Sequence, residues 1–307
     1  MNLDFLRYFL DRTGFSAEAG KALMDSARRL SGFVCPCSPQ SGLKKAVEAF
    51  YQSGLKIELA KPFIEAAADR SGIHPYTLWL LFLIEAAIPA RQAYAQKGIA
   101  DDIFWDTFTD LRYKADECQA MYGVWGNFVS SWYPIFYSCS IVKLGRLEYE
   151  NTVYPWDEPY MCRSVTVRKG DPVKSIHIPS SREPFDRASR LDSYRRAWDF
   201  FQKELQDRPL ICTCHSWLLY PQNRQILSPS SRVVDFMGDF DLLRAEPDPA
   251  FSNGWRVFGP DCQLPPDRLP ERTSMQRAFK RWLCGGNVTG YGFGILIFDG
   301  NSIVSAP

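Results

Sequence analysis

The chain has 307 residues, 46% of them hydrophobic and 23% charged, with 36 basic against 35 acidic side chains and a formal net charge of +1. This is the composition of a globular protein of one or two domains, not of a disordered chain. The balanced charge excludes a general electrostatic pull toward nucleic acid or an anionic membrane.

Aromatic residues reach 14%, enough for aromatic-walled pockets and equally for a thick core. The longest apolar run, Tyr76 to Ile84, is interrupted by Glu85. A membrane span needs roughly 18 or more apolar residues, so this run is expected to be a buried helix with no membrane partner. The chain opens Met1-Asn2-Leu3-Asp4-Phe5, without a basic-then-apolar leader, and its nine cysteines are an odd number in a chain too long to need disulfide staples. The expectation is reduced thiols in a cytoplasmic protein.

In chain order, the first part reads as helices. Leu3 to Leu10 has helical spacing, and Ser16 is placed to cap a helix over Ala17 to Leu30. Gly32 to Pro39 is a breaker, Ser41 a cap for Gly42 to Gln52, and Lys56 to Arg70 a further helical stretch closed by Ser71-Gly72. The next helix starts at Pro75 and is expected to kink or end near Pro89. Asp101-Asp102 open another over Ile103 to Met121, where two acids suit the helix dipole.

After about residue 121 the pattern turns to strands. Ile141 to Glu150 is one, with Leu144 or Gly145 disturbing the alternation. Tyr160 to Arg168 alternates, Gly170-Asp171-Pro172 has turn chemistry, and Val173 to Ile178 completes an expected hairpin-like pair. An amphipathic helix near Leu191 to Leu205 leads to the strand Pro209 to His215. Beyond it lie a short helix over Pro229 to Phe236, strands at Phe240 to Arg244 and Gly254 to Phe258, a helix over Thr273 to Cys284, and a last strand at Tyr291 to Phe298. The expectation is an α+β fold: a helical domain over residues 1–122 and a mixed-sheet domain over residues 123–307.

His177 and His215 stand near the carboxyl ends of two strands joined by one helix. Such a βαβ unit opens a crevice where ligands bind, and imidazole is suited to general-base work near neutral pH. The alternative is two histidines bonded to backbone. Glu148, sharing a strand face with Glu150 and Arg146, is a further candidate base or an ordinary exposed residue.

Cys212-Thr213-Cys214 admits a thiol nucleophile, but Cys214 and His215 are adjacent in a strand and point to opposite faces. Neither that run nor Cys35-Pro36-Cys37 has the Cys-x₂₋₄-Cys spacing of structural zinc, so no metal is expected. Ser180-Ser181-Arg182 precede the helix, and Arg182, Arg187 and Arg190 are placed to hold phosphate near its N-terminus, or else form a solvated basic loop. No Gly-x-x-x-x-Gly-Lys-Ser/Thr or Gly-x-Gly-x-x-Gly occurs; Gly290-Tyr291-Gly292-Phe293-Gly294 reads as a closely approached strand.

Trp132-Tyr133-Pro134-Ile135-Phe136-Tyr137, Leu144 to Glu150, His177-Ile178-Pro179-Ser180, Ser193 to Ala197, Cys214 to Leu219 and Phe236 to Asp241 carry a resemblance. With the helical first half, they make the chain similar to a small family of bacterial GNAT-like acyltransferases, in which an N-terminal helical domain precedes a GNAT-like domain. The resemblance implies an acyl-CoA-dependent N-acyltransferase acting by direct attack on a small-molecule or peptide amine. The acyl thioester would lie between the His177 and His215 strands, and backbone near Ile176 and Ile178 would hold the pantetheine arm. Glu148, His177 or His215 would take the amine proton.

One segment departs from the family. Where GNAT enzymes carry a glycine-rich pyrophosphate loop, this chain has Ser181-Arg182-Glu183-Pro184-Phe185-Asp186-Arg187-Ala188-Ser189. Phosphate contact then falls to Ser180, Ser181, Arg182, Arg187 and Arg190. The rival reading is a GNAT-like module that binds a ligand or partner without catalysis.

Overall fold

A computed structural model describes residues 1–31, 39–206 and 208–305. Cys35 and Cys37 lie outside the described residues. The chain divides into two compact units, one of Met1–Lys143 with Pro179–Ser181, the other of Leu144–Ile178 with Arg182–Pro307.

The first unit is helical: α1 (Leu3–Arg12), α2 (Ala17–Ser31), α3 (Pro39–Gln52), α4 (Lys61–Ser71), α5 (Pro75–Gln96), α6 (Asp101–Phe108), α7 (Asp110–Tyr122) and α8 (Pro134–Tyr137). Ser16 caps α2 as expected, its Oγ accepting from the Ala19 amide at 3.1 Å. α5 is the buried centre. His74 caps it and Pro75 opens it, a position where the missing N–H costs nothing. The helix continues through Pro89 to Gln96 instead of ending there. Leu78, Leu80 to Ile84, Ala86, Ala87, Ala90 and Tyr94 are all buried, and packing on several sides offsets the one helical hydrogen bond that Pro89 cannot make.

The single helix expected over Ile103 to Met121 is two. Thr107 and Thr109 donate their hydroxyls to the carbonyls of Ile103 and Trp105. Such back-bonding bends helices, and the break falls at Thr109.

β1 (Ile141–Leu144) straddles the division, and after it come β2 (Leu147–Val153), β3 (Tyr160–Cys162), β4 (Val165–Val167), β5 (Pro172–His177), α9 (Arg187–Leu205), β6 (Leu210–Ser216), α10 (Asn223–Ile226), α11 (Arg232–Met237), β7 (Asp241–Asp248), α12 (Gly254–Phe258), α13 (Ser274–Cys284) and β8 (Thr289–Phe298). Six strands form one mixed sheet in the order β1-β2-β5-β6-β8-β7. The βαβ unit is present: β5 and β6 are parallel and α9 joins them.

Two expectations fail here. Tyr160 to Arg168 is not one strand paired with Val173 to Ile178. Arg163 adopts φ +53°, and the chain folds back so that β3 pairs with β4 in a separate two-stranded sheet. The Gly170-Asp171 turn does form, with Asp171 Oδ2 accepting from the Arg168 amide, but β5 then pairs with β2. Gly254 to Phe258 is a short helix, not a strand. Periodicity cannot separate the two in so short a run. Gln276 of α13 holds the Val257 carbonyl at 3.0 Å, and Phe251 stacks on Phe279.

α9 covers one face of the sheet. Tyr149 Oη and Ser193 Oγ lie 3.0 Å apart, Ser193 Oγ donates to the Leu144 carbonyl at 2.5 Å, and Lys174 Nζ sits 3.8 Å from the Phe201 ring centre. The alternate glycines of β8 explain themselves on this face. A Cβ on Gly292 would lie 2.0 Å from the Leu219 carbonyl oxygen, and one on Gly294 2.8 Å from Phe240 Cβ. Only a residue without Cβ admits these neighbours.

Candidate active site

Side chains alternate along a strand, and residues paired directly across two strands share a face. β2 and β5 pair Glu148 with His177 and Glu150 with Ser175. β5 and β6 pair Ser175 with Thr213, and β6 and β8 pair His215 with Phe293. All these residues therefore occupy one face, the face opposite α9, and both histidines are on it.

The ladder between β5 and β6 is recorded only at Lys174–Cys212 and Ser175–Thr213. Beyond that point β5 keeps its pairing with β2 as far as His177, and β6 keeps its pairing with β8 as far as Ser216. The outer ladders persist while the inner one stops. A wedge opens between the two parallel strands, flanked by Ile176-His177 on one side and Cys214-His215 on the other. The inner backbone edge of β5 near Ile176 and Ile178 is left without a strand partner, which fits an extended amide-bearing arm laid along it.

His177 Nε2 lies 2.8 Å from Glu150 Oε2, both side chains about a quarter exposed. Glu150 is the diagonal neighbour on the adjacent strand, the next contact after the directly opposed residue. A carboxylate on one ring nitrogen holds the ring's orientation and stabilises the imidazolium when it forms. Glu148, directly across from His177, is 2% exposed.

The candidate phosphate residues separate. Ser180 and Ser181 group with the helical unit, where Ser180 Oγ donates to Glu117 Oε1 at 2.5 Å. Arg182 is exposed, at φ +60°. α9 begins at Arg187, earlier than expected, with Asp186 as its cap accepting from the Ser189 amide. Arg187 is exposed in the first turn. Arg190 is a correction: it is 0% exposed, its Nε 2.6 Å from Asp239 and one Nη 2.8 Å from Asp235. The guanidinium is committed to these carboxylates and to the Phe185 carbonyl, so it supports the loop and is not a phosphate ligand.

His215 is exposed on its strand and lines a cavity of about 210 Å³ with Trp156, Arg244, Glu246, Tyr291 and Phe293. Its ring centre is 5.3 Å from that of Tyr291. Trp156 meets Phe293 edge-on at 5.3 Å, and the Arg244 guanidinium stacks on the Trp156 ring at 3.9 Å.

Cys212 and Cys214 are fully buried on the α9 face, and burial pushes both thiols far above their ordinary range. They face away from both histidines, so the thiol-nucleophile alternative fails on geometry and on ionisation. Among the described residues, no group of three or more His, Cys, Asp or Glu is placed to hold a metal, and no helix is long and apolar enough to cross a membrane.

Sequence reading singled out both histidines and Glu148 as candidates, and the strand pairings bring the three to one sheet face. It missed Glu150 as the partner of His177, and Trp156, Arg244 and Glu246 altogether. Strand parity was a signal for Glu150; the others come together only through pairing of distant strands.

Residues 4–139 match the family described as the N-acyltransferase N-terminal domain, and residues 141–296 match the GNAT-like C-terminal domain. Among solved structures, the chain is similar to an acyltransferase variant in complex with octanoyl-CoA, at 20% identity and a TM-score of 0.73, over 96% of this chain and 88% of that one. It is also similar to an acyltransferase in complex with decanoyl-CoA and teicoplanin, at 22% identity and a TM-score of 0.71, over 95% and 87%. At these identities the likeness is one of fold. No curated protein matches the sequence.

Proposed function

This chain belongs to the family in which an N-acyltransferase N-terminal domain precedes a GNAT-like C-terminal domain, and from that premise we propose that it transfers an acyl group from acyl-CoA directly to an amine. The observation that carries the reading is the wedge between β5 and β6 with the His177–Glu150 pair at its mouth. The fold neighbours are complexes with octanoyl-CoA, and with decanoyl-CoA together with teicoplanin, which supports acyl-CoA as co-substrate and a small molecule or peptide as acceptor. Residues 1–122 form the helical domain in this reading and residues 123–307 the acyltransferase domain, in a cytoplasmic protein whose cysteines stay reduced and which has no nucleic acid as a partner.

The backbone near Ile176 and Ile178 binds the pantetheine arm as an added strand would. Arg182 and Arg187 hold the phosphates that the family's glycine loop otherwise holds. His177 takes the proton of the acceptor ammonium, and Glu150 orients the ring and stabilises its charged form. The amine lone pair attacks the thioester carbonyl carbon, the C–N bond forms, and the C–S bond breaks. The CoA sulfur leaves as thiolate and gains the proton that the nitrogen sheds on becoming an amide, His177 returns its own proton to solvent, and the products are an amide and free CoA thiol. No enzyme nucleophile is required. Glu148, buried across from His177, is the reserve base.

A second reading has one observation in its favour. The N-terminus of α9 is capped by the Asp186 carboxylate, a negative charge near the place where a pyrophosphate would bind, which disfavours CoA and so favours a module that has lost it. Calorimetric titration with octanoyl-CoA, paired with thiol release in the presence of a primary amine, tests both readings. Binding with thiol release supports the transferase. Binding without release to any of a panel of amines, or no binding at millimolar acyl-CoA, overturns the transferase and supports the non-catalytic module.

A further inference from the structure

The cavity beside His215 has a chemistry of its own. Three aromatic rings, Trp156, Tyr291 and Phe293, make its walls, and His215 lies at one side. Two charges belong to it. Arg244 is ion-paired to Glu158, outside the cavity. Glu246 has no ion pair among the described residues and is exposed at the rim, directly across the ladder from Tyr291. The cavity is therefore left with one unneutralised carboxylate beside aromatic faces. Ring faces attract cations through their quadrupole, and a carboxylate attracts them directly.

The tail of a fatty acyl group would gain nothing from the carboxylate and would lie beside an incompletely desolvated charge. An ammonium gains from both. Size adds a second restriction: an engineered apolar cavity of roughly 150 Å³ holds a benzene ring, so about 210 Å³ holds one ring and a short linker.

We infer that this cavity is the acceptor subsite and selects a primary amine carried by a short linker on a single aromatic ring. Glu246 seats the ammonium, Tyr291 and Phe293 hold the ring, and His215 forms the side nearest the wedge. The inference rests on the transferase reading for the word acceptor, but the binding site itself does not depend on it.

Tyramine is the probe, with hexylamine as an amine of similar reach lacking a ring and 4-ethylphenol as a ring lacking the charge. Each is titrated calorimetrically into the full chain and into the Glu246→Gln and Tyr291→Ala variants. Tyramine is expected to bind saturably and at least tenfold more tightly than either control. Each substitution is expected to weaken it about tenfold without changing the affinity for octanoyl-CoA. In acyl transfer the loss appears in KM for tyramine.

Equal affinity for tyramine and hexylamine, or indifference to Glu246→Gln, overturns the proposal. So does weaker octanoyl-CoA binding in Tyr291→Ala with tyramine unaffected, which would make the cavity an acyl-chain pocket. Tyramine binding as expected in a protein that never binds acyl-CoA keeps the subsite and removes the transferase reading. Transfer to amines without ring preference keeps the transferase and removes the subsite.

Discussion

His177 on β5 and His215 on β6 stand at matching register on one sheet face, each two residues beyond the last recorded pair between their strands, Ser175–Thr213. Their environments differ. His177 is held by Glu150 at 2.8 Å, whereas His215 faces aromatic rings and the cavity. In the proposed reaction the pair divides into a base and a binding residue.

His177→Ala is expected to lower kcat by roughly 10²–10⁴-fold, the usual contribution of a positioned general base, with unchanged circular dichroism. Glu150→Gln should lower it less, because the ring stays in place but loses its compensating charge. His215→Ala should act on KM for the amine. Steady-state kinetics of the three variants checks this; full activity in His177→Ala would transfer the role of base to Glu148.

Arg182 and Arg187 are exposed, and exposed charges are screened beyond about 8 Å at physiological ionic strength. Acyl-CoA affinity should fall as salt rises. Arg182→Ala and Arg187→Ala should each weaken binding and flatten the salt dependence. Titrations at low and high salt on both variants decide whether these side chains carry the phosphates.

Arg190→Ala should unfold the protein more easily instead of altering the salt dependence. It strands Asp239, which is 1% exposed, and an uncompensated buried charge costs about 3–5 kcal/mol. The double change Arg190→Met with Asp239→Leu removes both charges and should restore much of that loss. Urea unfolding of the single and double variants measures the difference.

An alkylating reagent applied to the folded protein should modify Cys284, which is exposed, and leave Cys212 and Cys214 untouched. Thiolate, not thiol, is the reacting species, and burial suppresses it at both strand positions. Mass spectrometry of the labelled protein locates the modified sites. Labelling of Cys212 or Cys214 within minutes would reopen the thiol-nucleophile mechanism.

What the sequence determined by itself were the features written in local periodicity. The apolar spacing of α5 and the strand–helix–strand order through His177 and His215 are properties of consecutive residues. Strand parity likewise puts Glu148, Glu150 and His177 on common faces once β2 and β5 are paired. Tertiary structure decided which strands pair and what each long side chain meets. β5 chose β2 over the nearer Tyr160 to Arg168 segment because Arg163 turns that segment back on itself. Arg190 read as a phosphate ligand from its place beside the helix start, yet Asp239, 49 residues away, draws it into the core. Trp156, Glu246 and Tyr291 form one cavity only because β7 and β8 pair antiparallel with β6 alongside. Local sequence encodes the face on which a side chain lies, whereas its neighbour across that face is set by strand pairings and core contacts between residues far apart in the chain.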